Sequence, residues 1–457
     1  MNEGLNRRQW LGAAAALAAA ASLPAGAAGR PVPNIIFIMA DDLGHADIGC
    51  YGGRIVATPH IDAIATAGVR LTQAYANSCV CSPTRLALLT GRYQYRLPMG
   101  LEEPLVRARV GLPADAVTLP RLLADHGYRT ALVGKWHLGE APFPGPLDSG
   151  YQSFYGIQKG GADYFTHLAQ GQPVKEEDGL FDGRERSGDI GYLTDLLTDR
   201  AVAVIGQAAR ARQPLFLSLH YTAPHWPWEG PEDEAVASSL KDIRHYEGGS
   251  LKTYAAMLSS LDRGVGRVMA ALRGAGLEGN SIVIFTSDNG GERFSDVWPL
   301  IGMKGELLEG GIRVPCLMSW PDRIAPGTVS RQVAISMDWA PTLLAAAGAV
   351  GGDWDGANLL APLTGRAPVR PRTLFWRHKH NDQIAVRHGD WKYLRIKGRE
   401  GLFDLAVDER ERANRIAEEP AIAADLKQRF AQWNEGMLQY ADGNYSYDAG
   451  AQAMDRP

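Results

Sequence analysis

The 457-residue chain is 45% hydrophobic and 21% charged, with a formal net charge of −4. That composition suits a soluble globular protein with one large and one smaller domain. The charge gives no reason to expect nucleic acid or an anionic membrane as a partner, so a site for an anionic substrate must be built locally. Cys50, Cys79, Cys81 and Cys316 are too few for a disulfide scaffold and lack zinc-site spacing. A Cys79–Cys81 bridge would be strained.

Arg7-Arg8-Gln9-Trp10-Leu11 precedes an alanine-rich run to Leu23 and then the small residues 24–28. This order reads as a signal peptide over residues 1–28, and the paired arginines read as the twin-arginine route. An exported protein, periplasmic or secreted, is expected. No membrane anchor is expected, because the apolar run falls short of the roughly 20 residues that span a bilayer.

Asn34 to Ala40 is a continuous apolar run, as for a strand buried on both faces, and it ends in Asp41-Asp42. Thr58-Pro59 opens a helix that closes near Gly68, and a strand pattern follows from Val69 to Ala76. Ser78-Cys79-Val80-Cys81-Ser82-Pro83-Thr84-Arg85 reads as a loop entering a short helix. Ser82 is its expected N-cap, Pro83 its first residue and Gly91 its stop, with Leu86, Leu88 and Leu89 on its apolar side. Cys81 then sits where free N–H groups favour an anion, with Arg85 one turn on.

A helix over 118–126 and a strand over 129–133 deliver Gly134-Lys135-Trp136-His137. Residues 145–191 are rich in Gly, Asp and aromatics and read as long loops. A helix over 192–212 leads to a strand over 215–220, which releases Pro224-His225. A long amphipathic helix carries Tyr254, Leu258, Leu261, Val265, Val268 and Leu272. The strand over 281–286 ends in Ser287-Asp288-Asn289. The alternation predicts an α/β fold, a large mainly parallel sheet sandwiched by helices, over residues 30–365. Beyond a Pro-rich connection, residues 366–457 read as a smaller α+β subdomain of antiparallel strands closed by a helix over about 421–440.

Polar residues recur just after strands, and such ends share one edge of a doubly wound sheet. Asp41, Asp42, Asp288 and Asn289 are all oxygen donors, a set suited to a hard cation such as Ca²⁺.

Cys81-Ser82-Pro83-Thr84-Arg85 with Leu88-Leu89-Thr90-Gly91-Arg92 resembles the signature of the type I sulfatases, of the alkaline-phosphatase-like superfamily. The resemblance covers nearly the whole chain after residue 28. It implies that Cys81 is oxidised to formylglycine by a formylglycine-generating enzyme. It further implies that Asp41, Asp42, Asp288, Asn289 and the modified Cys81 hold Ca²⁺. Gly134-Lys135-Trp136-His137 resembles that family's Gly-Lys-Trp-His element and Pro224-His225 its Pro-His element, and Lys304 falls on its substrate-contacting lysine, which implies Lys135, His225 and Lys304 as substrate-binding residues. The implied reaction removes sulfate from a sulfated substrate, with carbohydrate the expected class. Lys135, Lys304 and Arg85 neutralise the sulfate group, and Asp288 serves as base toward the aldehyde hydrate. His225, helped by Lys304, protonates the leaving alcohol, and His137 takes a proton from the second hydroxyl of the hydrate to expel sulfate.

The same superfamily contains phosphonate monoester and phosphodiester hydrolases, which stand as the alternative. A non-catalytic glycan-binding relative is the other reading, but such scaffolds usually lose the nucleophile or ligands. Trp226, Trp228, Tyr164 and Trp376-Arg377-His378-Lys379-His380 could line a sugar subsite, with His378 and His380 as its polar members. A surface loop with core aromatics is the competing reading. The role of His45 and the oligomeric state stay open.

Overall fold

Strand β1 (Asn34–Ala40) is buried along its whole length, and it is the centre of the molecule. Hydrogen-bonded neighbours flank it on both sides in a ten-stranded sheet. In chain order the other strands are β2 (Val69–Leu71), β3 (Arg129–Gly134), β4 (Ser153–Ile157), β5 (Leu180–Asp182), β6 (Glu185–Arg186), β7 (Leu215–His220), β8 (Ser281–Ser287), β9 (Cys316–Ser319) and β10 (Thr328–Ser330). Their spatial order is β10-β2-β9-β8-β1-β7-β3-β4-β5-β6. The five from β8 to β4 run parallel, β9 and β5 run against them, and β6 turns back antiparallel to β5. The structure is a computed structural model and describes residues 31–106, 110–168, 178–239 and 248–448. The expected signal segment lies outside these residues. None of the described helices is long and apolar enough to cross a membrane.

Alternation along β1 divides the core. Ile36 and Ile38 face one hydrophobic cluster, with α4 (Leu193–Ala211) and α5 (Leu251–Gly274) supplying Leu197, Val204, Leu261 and Val265. Ile35 and Phe37 face a second cluster that includes α2 (Cys81–Thr90), α3 (Leu119–Asp125) and α6 (Trp339–Ala346). The helix α1 (Pro59–Ala67) runs to the expected Gly68 stop. The expected alternating α/β architecture is present.

Two local expectations give way. The stretch read as loops holds β4 and the β5–β6 hairpin, because Phe154, Tyr155, Ile157 and Phe181 bury their side chains despite the surrounding Gly and Asp. The single strand expected over 69–76 breaks in two, with Ala74–Tyr75 pairing with Ala334–Ile335 instead.

An antiparallel sheet follows the Pro-rich connection: β11 (Thr373–His378), β12 (Gln383–His388), β13 (Trp391–Ile396) and β14 (Arg399–Asp404). Val386, Tyr393 and Leu402 pack on Ala423 and Leu426 of the closing helix α7 (Pro420–Glu435). The opposite face presents Trp376, Ala385, Leu394 and Phe403 to Tyr75, Cys79 and Ala87, so it shares a core with α2.

A buried ion pair bolts this contact. Lys392 Nζ lies 2.9 Å from Glu309 and 2.8 Å from Glu411, with all three side chains excluded from solvent. Burial pushes Glu411 up to about 7. Lys392→Met strands both carboxylates, and the expected cost is about 3–5 kcal/mol. Chemical denaturation should show a lowered midpoint, and an unchanged midpoint refutes this role.

Candidate active site

The C-terminal ends of β1, β3, β7 and β8 deliver the polar residues to one edge, and register fixes their approach. Ala40 pairs with Ser287, and the Asp288 amide donates to the Ala40 carbonyl at 3.2 Å. The Asp42 amide in turn donates to Asp288 Oδ1 at 3.2 Å. Asp42 has φ 62° and His137 φ 57°, left-handed conformations that non-glycine residues seldom adopt and that often mark functional sites. Gly134 is required where β3 passes β7. Its φ is 116°, and a Cβ would lie 1.8 Å from the His220 carbonyl oxygen.

Three cations meet these carboxylates. Lys135 Nζ donates to Asp41 Oδ2 at 2.5 Å, and Arg85 binds Asp288 Oδ2 through Nε and Nη2 at 3.0 and 2.7 Å. Lys304 Nζ donates to Asp42 Oδ2 at 2.7 Å and reaches Glu292 Oε2 at 3.4 Å. His225 directs Nδ1 to the Trp226 carbonyl at 2.6 Å and places Nε2 3.6 Å from Asp42 Oδ2. His137 Nε2 lies 3.0 Å from the Leu105 carbonyl. Its buried Nδ1 has no hydrogen-bond partner among the described residues.

The protonation states follow from burial and neighbours. Burial pushes Asp41 up to about 8, with the Asp288 charge adding to it. Against the upward push of burial, the Lys304 ammonium holds Asp42 well below the usual carboxylate range. Burial, then the Lys304 charge, lowers His225 to about 3, while carboxylates hold Lys304 firmly protonated against burial.

Cys81 joins this group, with Sγ 3.4 Å from Asp41 Oδ1 and 3.9 Å from Asp42 Oδ1. Burial pushes its thiol well above the ordinary value. Only the thiolate is a competent nucleophile, so this shift disfavours an unmodified Cys81 in that role. The helix begins two residues earlier than the sequence suggests. Cys81 is its first residue and Val80 the cap, without a capping side chain. Ser82 Oγ instead accepts from the Leu105 amide at 2.7 Å. Pro83 still fits, because N–H groups of a first turn have no intrahelical partner to lose.

The donor set fits a hard cation. Ligand atoms of Asp41, Asp42, Cys81 and Asp288 all lie within 4.8 Å of one another. Asn289 Oδ1 is buried and lacks a hydrogen-bond partner among the described residues, while Nδ2 donates to Asp42 Oδ1 at 2.7 Å. Four carboxylates, Glu292 included, face three cationic side chains, and burial favours a proton on Asp41 while no metal is bound. A divalent cation would take the place of that proton and add positive charge for an anionic substrate to meet.

Other expected members lie elsewhere. His378 is fully buried, 3.0 Å from Glu103 and 3.1 Å from the Tyr447 carbonyl, so the structure gives it a packing position. His380 is partly exposed and pairs with Asp448 at 2.8 Å. Tyr164, Trp228 and Trp376 are core residues, as the competing reading had it, and the Tyr164 hydroxyl supports the His225 carbonyl at 2.9 Å. His45 is buried, edge-on to Tyr51, and burial lowers it to about 3. Sequence reasoning missed Glu292, although its place just after Asp288-Asn289-Gly290-Gly291 on a strand-end loop was a usable signal.

A buried acidic cluster, a helix-start cysteine and converging cations at the parallel-strand ends define an alkaline-phosphatase-like enzyme for anionic esters. The sulfatase family model matches residues 33–349, and a model described as N-sulphoglucosamine sulphohydrolase, C-terminal, matches residues 304–436. The chain belongs to the sulfatase family of enzymes. It is 34% identical to human arylsulfatase A over 407 residues, 81% of this chain and 76% of that one. It is 36% identical to mouse arylsulfatase J over 331 residues, 71% of this chain and 54% of that one. The crystal structure of Ps i-CgsB in complex with k-i-k-neocarrahexaose superposes with a TM-score of 0.81 at 30% identity, covering 92% of this chain and 96% of that one. The phosphonate monoester hydrolase of Agrobacterium radiobacter, at 20% identity and TM-score 0.63, covers 88% of this chain and 95% of that one and shares the fold.

Proposed function

We propose that this protein is an exported sulfatase that hydrolyses a sulfate ester of a carbohydrate, using formylglycine at position 81 and Ca²⁺. The observation that carries the reading is the placement of Cys81 against Asp41 and Asp42 among three buried cations. A maturing enzyme that converts Cys81 is the implied partner. Formylglycine supplies a hydrated aldehyde as nucleophile in place of the thiol. Asp41, Asp42, Asp288 and Asn289 hold Ca²⁺, which supplies positive charge to the sulfate oxygens.

The chain's own groups divide the remaining work. Lys135, Arg85 and Lys304 bind and orient the anionic group, which in a dry site is worth far more than in water. Asp288, anchored by Arg85, stands as the base near position 81. Lys304 carries a proton on the side shared with His225, where the leaving oxygen departs. His137 offers its unpartnered Nδ1 lone pair as a proton acceptor. Such acid–base help is typically worth about 10²–10⁴-fold per group. A saccharide is the expected leaving group because a similar structure holds k-i-k-neocarrahexaose.

Sulfate and phosphonate monoesters both carry a single negative charge, so kinetics must separate them. With a common leaving group, kcat/KM is expected to be higher for the sulfate ester, each factor of ten reporting about 1.4 kcal/mol of transition-state preference. A clear advantage for the phosphonate or phosphodiester reassigns the enzyme to that class.

A further inference from the structure

The segment 444–448 lies far along the chain from every motif, yet it reaches the catalytic centre. The Tyr447 hydroxyl donates to Glu292 Oε1, and Glu292 presents its other oxygen to Lys304. The Tyr447 ring centroid lies 5.5 Å from Lys304 Nζ, and the same side chain packs on Val80, the cap before Cys81. One side chain thus touches the nucleophile's helix, the Asp288 loop and the Lys304 loop.

The segment is held by a dense set of polar contacts. The Tyr447 amide donates to the Glu103 carbonyl at 2.6 Å, and the Glu103 amide to the Tyr445 carbonyl at 3.0 Å. Glu103 Oε2 accepts from Ser446 at 3.0 Å and faces the buried His378 ring, also at 3.0 Å. Lys379 Nζ donates to the carbonyls of Ala441, Asp442 and Asn444 at 2.8, 2.7 and 2.8 Å. His378 and Lys379, which the sequence suggested for a sugar subsite, instead tie this strap down.

Lys304 is a flexible stem with three donors, and its position must be imposed by neighbours. Asp42 is one acceptor, but its oxygens are shared with the cation. Glu292 lies outside the proposed ligand set, and Tyr447 fixes which of its oxygens faces Lys304. We propose that Tyr447 is a positioning residue that, through Glu292, holds Lys304 against the departing oxygen of the substrate. The proposal rests on the sulfate-ester reading above.

Tyr447→Phe removes one hydroxyl and keeps the ring over Lys304 and Val80. Hydrolysis of an unactivated sugar or alkyl sulfate, which depends on help to the leaving oxygen, should lose roughly 10- to 100-fold in kcat. A nitrophenyl sulfate, whose leaving group departs without a proton, should change by less than about 3-fold. Glu292→Gln should show the same selectivity, and the double variant should lose no more than Tyr447→Phe alone. Equal losses on both substrates, with or without a lowered melting temperature, overturn the proposal in favour of a structural strap, and so does unchanged kinetics. If the wild-type enzyme hydrolyses neither ester, the sulfate-ester reading itself fails and this inference falls with it.

Discussion

Cys81→Ala is expected to reduce turnover by a factor on the order of 10⁴ or more, the largest effect of any single substitution in the chain. The reason is the electrostatics of the position. Burial raises the thiol, which lies 3.4 Å from one carboxylate and 3.9 Å from another, so its ionised form is disfavoured and conversion of the side chain is expected to supply the nucleophile. Mass spectrometry of the 76–92 peptide from active protein should show the aldehyde in place of the thiol. Cys81→Ser sharpens the test. A serine hydroxyl that attacks sulfur leaves an ester that water must break, so at most one equivalent of alcohol should appear per site before turnover stalls. Sustained turnover by Cys81→Ser, or full activity of protein carrying only the free thiol, sinks the formylglycine reading.

The strand-end chemistry was legible because a parallel sheet forces convergence. Once Asn34 to Ala40 and Ser281 to Thr286 read as buried strands, Asp41 and Asp288 had to lie on one edge, and the register of β1 with β8 places them side by side. The start of the helix at Cys81 was less legible. Ser82 has the composition of a cap, but its hydroxyl is taken by the Leu105 amide, a contact between loops that no local rule anticipates. The same limit explains His378. Its run of polar and aromatic residues looked suited to a sugar, while the pleat of β11 turns Trp376 and His378 inward, onto Tyr75 and Glu103. Long-range partners decided both outcomes. The hairpin of β5 and β6 was hidden for a different reason, since Gly179 and Gly183 punctuate strands too short to show alternation.

Removal of the cation is expected to give the second large effect. Asp41, Asp42 and Asp288 crowd within 4.8 Å, and burial with mutual repulsion holds Asp41 up to about 8 in the metal-free site. Lys135, Lys304 and Arg85 offset part of that charge, but each is already committed to one of these carboxylates. A bound divalent cation would displace the proton that burial favours on Asp41 and leave a free positive charge for the anion. Charge stabilisation by a bound metal is worth several kcal/mol, so chelation should lower kcat/KM by about 10³-fold or more. Added Ca²⁺ should restore it, and Mg²⁺ should do so poorly, because it demands tighter octahedral geometry and dehydrates reluctantly. A readout independent of catalysis comes from stability. A ligand at 100 times its Kd stabilises the folded state by about 2.7 kcal/mol, so Ca²⁺ should raise the melting temperature of the chelated protein. Asp288→Ala should abolish that rise along with activity, because it removes a ligand and strands Arg85. Lys392→Met, which removes a partner of Glu309 and Glu411 and none of the proposed cation ligands, should lower the melting temperature yet keep the Ca²⁺-induced rise. If chelated protein turns over sulfate esters at the native rate, or if Asp288→Ala retains the full thermal response, the assignment of Asp41, Asp42, Asp288 and Asn289 as a cation site is wrong.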